Sequence, residues 1–211
     1  IASNYGKSYY PSDYSPNAGW ADYYGNEDFF KAYPNDDRKE WNYMTEWKIK
    51  SGEIIPYTES ADKLPAISKY YDYDEGAPGK SAQSNGITCI YRYAEVLLMY
   101  AEASTRATNS VNQDALNAIQ EVQKRAGYQN RQIELTTTTE PAAFLTAVSN
   151  ERGWEFFAEM KRWFELVRLE KVKEVRAEEW DASTFNTNHH YYFPVPYQQV
   201  DLAGWTNNAG Y

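Results

Sequence analysis

Three glutamates, Glu151, Glu155 and Glu159, recur at four-residue spacing in a stretch with helical hydrophobic periodicity. Paired carboxylates can act as general acid and base in glycoside hydrolysis, so this pattern is the first candidate for chemistry. A glycosidase needs its two carboxylates on opposite sides of a cleft, and neighbours on one helix face do not have that arrangement. We therefore predict that the glutamates form an ion-pair network that holds helices together. The other charged residues expected to take part are Arg92, Glu95, Glu102, Arg152, Arg162 and Arg168.

Two further patterns bear on metal binding, and both are weak. His189 and His190 are the only histidines, and adjacent side chains in an extended segment point to opposite faces, so they do not easily share one metal. Residues 72–76 (DYDEG) place carboxylates at alternating positions before a turn glycine. A calcium loop also needs a third ligand and a closing glutamate, so we interpret this segment as a solvated acidic turn. Motifs of zinc proteases, serine hydrolases, P-loops and dinucleotide-binding folds are absent, and we predict no catalytic residues, no cofactor and no metal ligands.

The strongest binding signal is the aromatic content, which reaches 17% of the sequence. In the first part of the chain many of these rings alternate with Asn and Asp. Sugar rings have apolar C–H faces and hydroxyl rims, which flat aromatic rings and neighbouring amide or carboxylate groups bind well. The predicted glycan-stacking residues are Trp20, Tyr23, Tyr24, Trp41 and Tyr43, and we expect at least one of the two tryptophans to contact ligand. The alternative is that these rings hold irregular loops against a scaffold.

Charge and cysteine content narrow the function classes. A formal charge of −9 without a basic stripe argues against a nucleic-acid partner. Cys89 is the only cysteine, and its neighbours Ile87 and Ile90 predict a small buried side chain.

No apolar run approaches the roughly 20 residues needed to span a bilayer. Because the chain opens at Ile1 with neither an initiator Met nor a signal peptide, we expect a processed or truncated N-terminus.

The elements that must position these residues fall into three zones of one predicted domain over residues 1–211. Residues 1–88 are rich in Tyr, Asn, Asp, Gly and Pro, which predicts loops with at most short strands, as at residues 47–50. Residues 89–173 show helical periodicity and form the predicted helical-hairpin core. Residues 174–211 are predicted to return to loops, with a proline-containing extended run near their middle.

Hydrophobic spacing predicts an antiparallel helical hairpin in the middle zone. Apolar residues lie on one helix face within residues 94–101, and a second seam runs over residues 115–126. Residues 109–112 break the pattern with cap-forming side chains, and Gly127 stands where a left-handed residue would end the second helix. A third helix follows, with a break expected near residues 149–150. One hairpin does not establish a repeat.

Several segments, in order along the chain, resemble the SusD/RagB family of nutrient-binding surface lipoproteins of Bacteroidetes. Residues 91–103 (YRYAEVLLMYAEA) closely resemble a characteristic helix of that family. The other matching segments are residues 117–127 (NAIQEVQKRAG), 151–168 (ERGWEFFAEMKRWFELVR), 192–196 (YFPVP) and 207–211 (NNAGY). Upstream, Asp37-Arg38 resembles the family's D-x-R loop end, and Lys69-Tyr70 resembles its K-Y strand. Departures such as Gly153, where the family has arginine, affect the helix-packing residues.

This resemblance implies a mainly α fold of tetratricopeptide-like helical hairpins, with a large aromatic-rich loop region packed over them. It implies no enzymatic activity. It also implies an N-terminal lipid anchor in the outer membrane at the cell surface, which we expect to lie in a part of the protein that precedes this chain. The expected partner is a SusC-like TonB-dependent transporter. Because family members are longer, we expect this chain to be the C-terminal portion of such a protein.

The leading hypothesis is therefore a non-catalytic protein that captures oligo- or polysaccharide and delivers it to a SusC-like transporter. A peptide-capturing member of the same family is the closest alternative. A helical protein-interaction scaffold without small-ligand binding belongs to a different class. A glycosidase is the least favoured of these interpretations.

Overall fold

The computed structural model describes residues 8–15, 18–71, 89–175 and 186–211. Backbone contacts divide the chain into two compact units, Ile1–Met160 and Lys161–Tyr211. The single domain expected over residues 1–211 stays a prediction. The acidic turn predicted at residues 72–76 lies outside the described residues. Within the described parts of the chain, no helix is both long and apolar enough to cross a membrane.

Short elements separated by turns open the Ile1–Met160 unit. They are the helices α1 (Glu27–Ala32) and α2 (Asp37–Asn42), the strands β1 (Tyr43–Met44), β2 (Glu46–Lys48), β3 (Ile54–Pro56) and β4 (Ala66–Ile67), and a 3-10 turn at Tyr57–Glu59. β1 pairs with β4 and β2 pairs with β3, both antiparallel. Side-chain caps explain where the helices begin. Asn26 accepts a hydrogen bond from the Phe29 N–H, and Asp36 accepts from the N–H groups of Arg38 and Lys39.

Two strand expectations had different outcomes. The strand predicted at residues 47–50 corresponds to β2, in which the buried Trp47 lies opposite Ile55 of β3. The strand expected at Lys69-Tyr70 is wrong, because these residues lie in a turn just after β4.

Three long helices form the core of this unit: α3 (Tyr93–Thr108), α4 (Gln113–Arg125) and α5 (Pro141–Glu155). The predicted hairpin between α3 and α4 is confirmed. Asn109 ends α3 in the left-handed conformation, and the Asn112 side chain begins α4 by accepting from the Ala115 N–H. Gly127 follows α4 with a φ of +83°, as the sequence predicted.

The hydrophobic core lies where these three helices meet. Leu98 of α3, Ile119 of α4 and Phe144 of α5 are fully buried within it. Burying a side chain of this size stabilises the fold by about 1.5–3 kcal/mol. The core therefore fixes α5, and with it the glutamates of its last turns, against α3 and α4.

The chain breaks later than expected after α5. The helix passes through residues 149–150 without interruption and ends at Glu155. Ala158 and Met160 then adopt positive φ values of 59° and 60°. The predicted break near residues 149–150 is therefore wrong. As a result, Glu159 lies outside the helix that carries Glu151 and Glu155.

The Lys161–Tyr211 unit contains the helices α6 (Arg162–Arg168), α7 (Val172–Val175), α8 (Thr187–His190) and α9 (Tyr197–Ala203). The sequence interpretation missed α8 and α9. The last residues lie beside the proline-containing run, because Asn207 accepts from the Val195 N–H at 2.8 Å and Asn208 donates to the Phe193 carbonyl at 2.6 Å. This run is not helical, as its prolines predicted.

Gly127 provides a test of how α2 is held against α4. An added Cβ would lie 2.1 Å from an Asp37 carboxylate oxygen, and the Asp37 N–H donates to the Ala126 carbonyl at 3.1 Å. Gly127→Ala should lower the free energy of unfolding by about 1–2 kcal/mol, because the added methyl must displace the Asp37 carboxylate in addition to the strain that any Cβ causes in the left-handed conformation. Gly204→Ala is the matched control, because Gly204 also has positive φ but a Cβ there meets nothing within 4 Å. Chemical denaturation measures both variants, and an unchanged Gly127→Ala midpoint would contradict the close approach.

Candidate functional site

A buried arginine of the loop-rich region organises the predicted ion-pair network. Arg38 donates through Nη1 to Glu151 Oε1 and to Glu155 Oε2, both at 2.7 Å. Its Nε and Nη2 donate to Asp36 Oδ2 at 3.0 Å and 2.5 Å. The side chains of all three carboxylates are 0% exposed. Arg38 therefore connects α2 to α5 through interactions that water hardly reaches.

A second layer of cations surrounds the outer side of Glu155. Arg92, which precedes α3, pairs with Glu155 and donates to Glu159 at 2.9 Å and 3.1 Å. Arg125, at the end of α4, donates to Glu155 Oε1 at 2.5 Å. Lys69 Nζ lies 2.6 Å from Glu159 Oε1. The network thus joins α2, α4, α5 and the turn after β4.

The two helical glutamates respond differently to burial. Burial raises the pKa of Glu151, although Arg38 donates to it. Burial also opposes ionisation of Glu155, but the guanidinium groups of Arg92, Arg125 and Arg38 outweigh it and hold the pKa of Glu155 below its ordinary value. Glu155 is thus ionised and surrounded by donors.

The predicted network is confirmed, with different members from those expected. Arg92 takes part as predicted, whereas Arg38, Asp36, Lys69 and Arg125 were not predicted. Glu95 lies 3.7 Å from Arg152, Glu102 pairs with Arg106, and Arg162 pairs with Glu165, so these predicted residues form pairs of their own.

Next to the network lies a cavity of about 540 Å³. This volume falls within the range of roughly 300–1,000 Å³ typical of small-molecule sites. The lining residues are Asp37, Arg38, Trp41, Asn42, Lys69, Tyr70, Cys89, Arg92, Arg125, Glu155 and Glu159. Trp41 is the largest aromatic group among them and is 63% exposed. Its position is fixed by α2 and by the Ser68 hydroxyl, which donates to the Trp41 carbonyl at 2.7 Å.

The charges that line the cavity largely neutralise one another. Its basic side chains, Arg38, Lys69, Arg92 and Arg125, all form ion pairs with carboxylates. The Arg125 side chain is 60% exposed, so part of its guanidinium remains accessible beside the cavity. The Asp37 side chain is 45% exposed and pairs with Arg131. A ligand here would meet hydrogen-bonding groups rather than a net positive charge.

The five predicted stacking residues lie in different environments. Trp20 and Tyr23 are exposed, at 50% and 57%, but do not line the cavity. Tyr24 is half-buried and donates its hydroxyl to Asp62, and burial together with that carboxylate raises its pKa. Trp41 is the only predicted stacking residue among those that line the cavity.

Tyr43 requires a correction. Its side chain is 4% exposed, and its ring packs against Phe30, Tyr33 and Phe157 with centroid distances of 4.8, 5.7 and 4.5 Å. A ring enclosed in this way has no face left for a sugar, so we assign Tyr43 to the core. The structure also pairs many tyrosines with each other, as for Tyr9 stacked on Tyr70 at 5.3 Å. For these rings the alternative interpretation, that they hold loops in place, is the better one.

Two more sequence interpretations are wrong. Cys89 is exposed and lines the cavity, whereas its isoleucine neighbours had predicted burial. His189 and His190 lie in helix α8 rather than an extended segment, and their rings stack at 4.6 Å. His190 Nδ1 accepts from the Asn186 N–H at 2.9 Å. Among the residues the structure describes, no group of three His, Cys, Asp or Glu side chains is arranged to hold a metal ion.

In this fold the long helices carry an aromatic-rich region of short helices, strands and turns, and the buried arginine–carboxylate network connects the two. The sequence matches the SusD family model over residues 2–211. The chain therefore belongs to the SusD family, and the family resemblance inferred from the sequence is confirmed.

Individual relatives agree with this assignment. The SusD-like protein P2 of Formosa agariphila is 28% identical over an alignment of 200 residues, and the match covers 86% of this chain and 39% of that protein. A SusD superfamily protein from Parabacteroides distasonis has a similar structure, with a TM-score of 0.78, 22% identity, and coverage of 99% of this chain and 47% of that one. Surface glycan-binding protein A from Bacteroides uniformis gives a TM-score of 0.68 at 22% identity, with the same coverages of 99% and 47%.

These structural similarities establish the fold. The predicted mainly α, tetratricopeptide-like architecture is confirmed. The chain spans less than half the length of these relatives.

Proposed function

We propose that this protein binds a glycan without cleaving it, and that Trp41 is the surface on which a sugar ring stacks. The observation that carries the proposal is the position of Trp41, an exposed indole that lines a cavity whose other walls are mainly hydrogen-bonding side chains. A sugar needs both an apolar plate for its C–H face and polar groups for its hydroxyls. Trp41 supplies the first, and Asp37, Tyr70 and Arg125 supply the second.

The charge distribution favours an uncharged glycan over a polyanionic one. The cations beside the cavity are paired with Glu155 and Glu159, so an incoming sulfate or uronate would have to compete with bound carboxylates. The formal charge of −9 adds long-range repulsion of anionic chains. The hydroxyl groups of a neutral glycan would neither compete with these carboxylates nor be repelled by the negative charge.

The same network supports a binding role over a catalytic one. Glycoside hydrolysis requires one carboxylic acid that is free to give up its proton and a second carboxylate across the sugar. Glu151 and Glu155 instead lie on the same helix, and both accept a hydrogen bond from the buried Arg38. They stabilise the fold that presents Trp41.

The remaining parts of the proposal rest on family membership. A surface glycan-binding protein from Bacteroides uniformis shares this fold, which supports glycan capture. We propose that the full-length protein is held at the outer-membrane surface by a lipid anchor and passes its glycan to a SusC-like TonB-dependent transporter.

A glycan array probed with the full-length protein tests this function, and a peptide panel run in parallel tests the closest alternative. We expect signal on one class of neutral polysaccharide, and we expect that glycan to keep its length after prolonged incubation. Binding confined to peptides would replace the glycan proposal, and shortened glycan would show catalysis. Binding to neither, by a folded sample, would favour the protein-interaction scaffold.

A further inference from the structure

Residues 19–23 form a surface loop that exposes two aromatic side chains, and we call it the aromatic loop. Tyr23 is 57% exposed and Trp20 is 50% exposed, and neither side chain lines the cavity. Single exposed aromatic residues are normal on a protein surface, but two of them on one short loop form a larger apolar surface. Neither the hydrophobic core nor the cavity accounts for this surface.

Backbone hydrogen bonds hold the aromatic loop against an earlier part of the chain. The Ala21 N–H donates to the Tyr10 carbonyl at 3.2 Å. The Tyr23 N–H donates to the Ser8 carbonyl, also at 3.2 Å. A Cβ added to Gly19 would overlap the Tyr10 carbonyl oxygen, so the two segments are in close contact. The loop therefore has its shape before a ligand arrives, which lowers the entropy that binding must remove.

The backbone of the aromatic loop is strained at Ala21. This residue lies between the two exposed aromatic residues and has a φ of +56°. The left-handed conformation is unfavourable for a residue with a Cβ, and strain of this kind is concentrated at binding and catalytic sites. The aromatic loop thus has the features of a binding loop rather than of a simple connection.

A chain of ring contacts connects Tyr23 to the cavity. The ring of Tyr23 lies 5.5 Å from that of Tyr9, and Tyr9 stacks on Tyr70 at 5.3 Å. Tyr70 lines the cavity together with Trp41. Tyr9 is only 6% exposed, so it holds the other two tyrosines in place. The exposed ring of Tyr23 is therefore two ring contacts away from the cavity wall.

We propose that the aromatic loop is an outer glycan subsite, in which Tyr23 stacks on one sugar ring of a chain that also occupies Trp41. This inference rests on the proposed function, because it concerns the same glycan. The Tyr23 ring provides an apolar face for sugar C–H groups, and the neighbouring exposed Asp22 provides oxygens that accept from sugar hydroxyls. Trp20 widens the apolar surface. The preferred ligand is then a chain of several sugar units, since a ligand that fills only the cavity makes no contact with Tyr23.

Calorimetry with oligosaccharides of increasing length tests the outer subsite in the full-length protein. The series is prepared from the polysaccharide that the array identifies, and Tyr23→Ala is compared with the wild type at every length. Tyr23→Ala should bind the long members about 5- to 30-fold more weakly, and the shortest members that bind should keep their Kd. The reason is that only a long chain reaches the loop. Tyr23→Phe retains the ring and should bind every member as the wild type does.

Tyr192→Ala is the matched control for the loss of an exposed tyrosine. Tyr192 is 58% exposed, against 57% for Tyr23, and it does not line the cavity. It lies in the other compact unit, Lys161–Tyr211. Its replacement should leave Kd unchanged for oligosaccharides of every length.

The dependence on glycan length separates this inference from the proposed function. If Tyr23→Ala binds long chains as tightly as the wild type, the outer subsite is wrong and glycan binding on Trp41 stands. If Tyr23→Ala weakens binding by the same factor at every length, the subsite is also wrong, because Tyr23 then acts only by supporting Tyr9 and Tyr70. If the wild type binds no glycan, the proposed function is overturned together with the subsite.

Discussion

Replacing Arg38 with methionine should lower the free energy of unfolding by about 3–5 kcal/mol. The substitution keeps most of the side-chain volume but leaves Asp36, Glu151 and Glu155 buried without the cation that joins them. A buried carboxylate that loses its partner destabilises the fold, because the ion pair no longer offsets the free energy of removing the carboxylate from water. Urea denaturation followed by circular dichroism measures the effect.

Arg131→Met is the matched control for this substitution. Arg131 also pairs with two carboxylates, Asp37 and Glu40, but these side chains are 45% and 61% exposed. Ion pairs in contact with water contribute only about 0–1 kcal/mol. If Arg38→Met does not fold, Arg38→Lys retains the charge without the guanidinium fork and should be intermediate in stability. Equal stability of the Arg38→Met and Arg131→Met variants would contradict the structural role of the network.

The second prediction concerns ligand affinity. Trp41→Ala in the full-length protein should weaken glycan binding by about 1–3 kcal/mol, or roughly 5- to 150-fold in Kd, because truncation removes the stacking plate. The melting temperature should change little, since the Trp41 side chain is mostly exposed. Trp41→Phe retains a smaller aromatic ring, and its affinity for the glycan should lie between those of the wild-type protein and Trp41→Ala. Titration calorimetry with the polysaccharide found on the array measures these affinities.

Trp205→Ala controls for the loss of an exposed indole as such. Trp205 is 57% exposed, close to the 63% of Trp41, but does not line the cavity. Its replacement should leave Kd unchanged. If Trp41→Ala instead lowers the melting temperature and leaves affinity intact, Trp41 packs against another part of the full-length protein.

The helical hairpin could be predicted because its signals are local. The apolar seams, Asn112 as a cap and Gly127 as a left-handed terminator all lie within a few residues of the structure they specify. The break after α5 was placed wrongly for a related reason. Ala158 and Met160 adopt positive φ there without being glycines, so the sequence contains no signal at the true position.

The site was harder to predict because its contacts are distant in sequence. Arg38 and Glu151 are separated by 113 positions, and no spacing rule identifies such a pair. Trp41 and Tyr43 are two positions apart in the same aromatic stretch, yet one is exposed and the other is buried against Phe157. The difference depends on how the loop region packs on the end of α5. Residue type alone therefore identified an aromatic region but could not separate a ligand contact from a core residue.

A crystal structure of the full-length protein with an oligosaccharide from the array-positive class tests the central claim most directly. We predict a sugar ring stacked on the Trp41 indole, with its hydroxyls hydrogen-bonded to Asp37, Tyr70 or Arg125. A cavity filled by another part of the polypeptide, with the sugar bound elsewhere, would contradict this account.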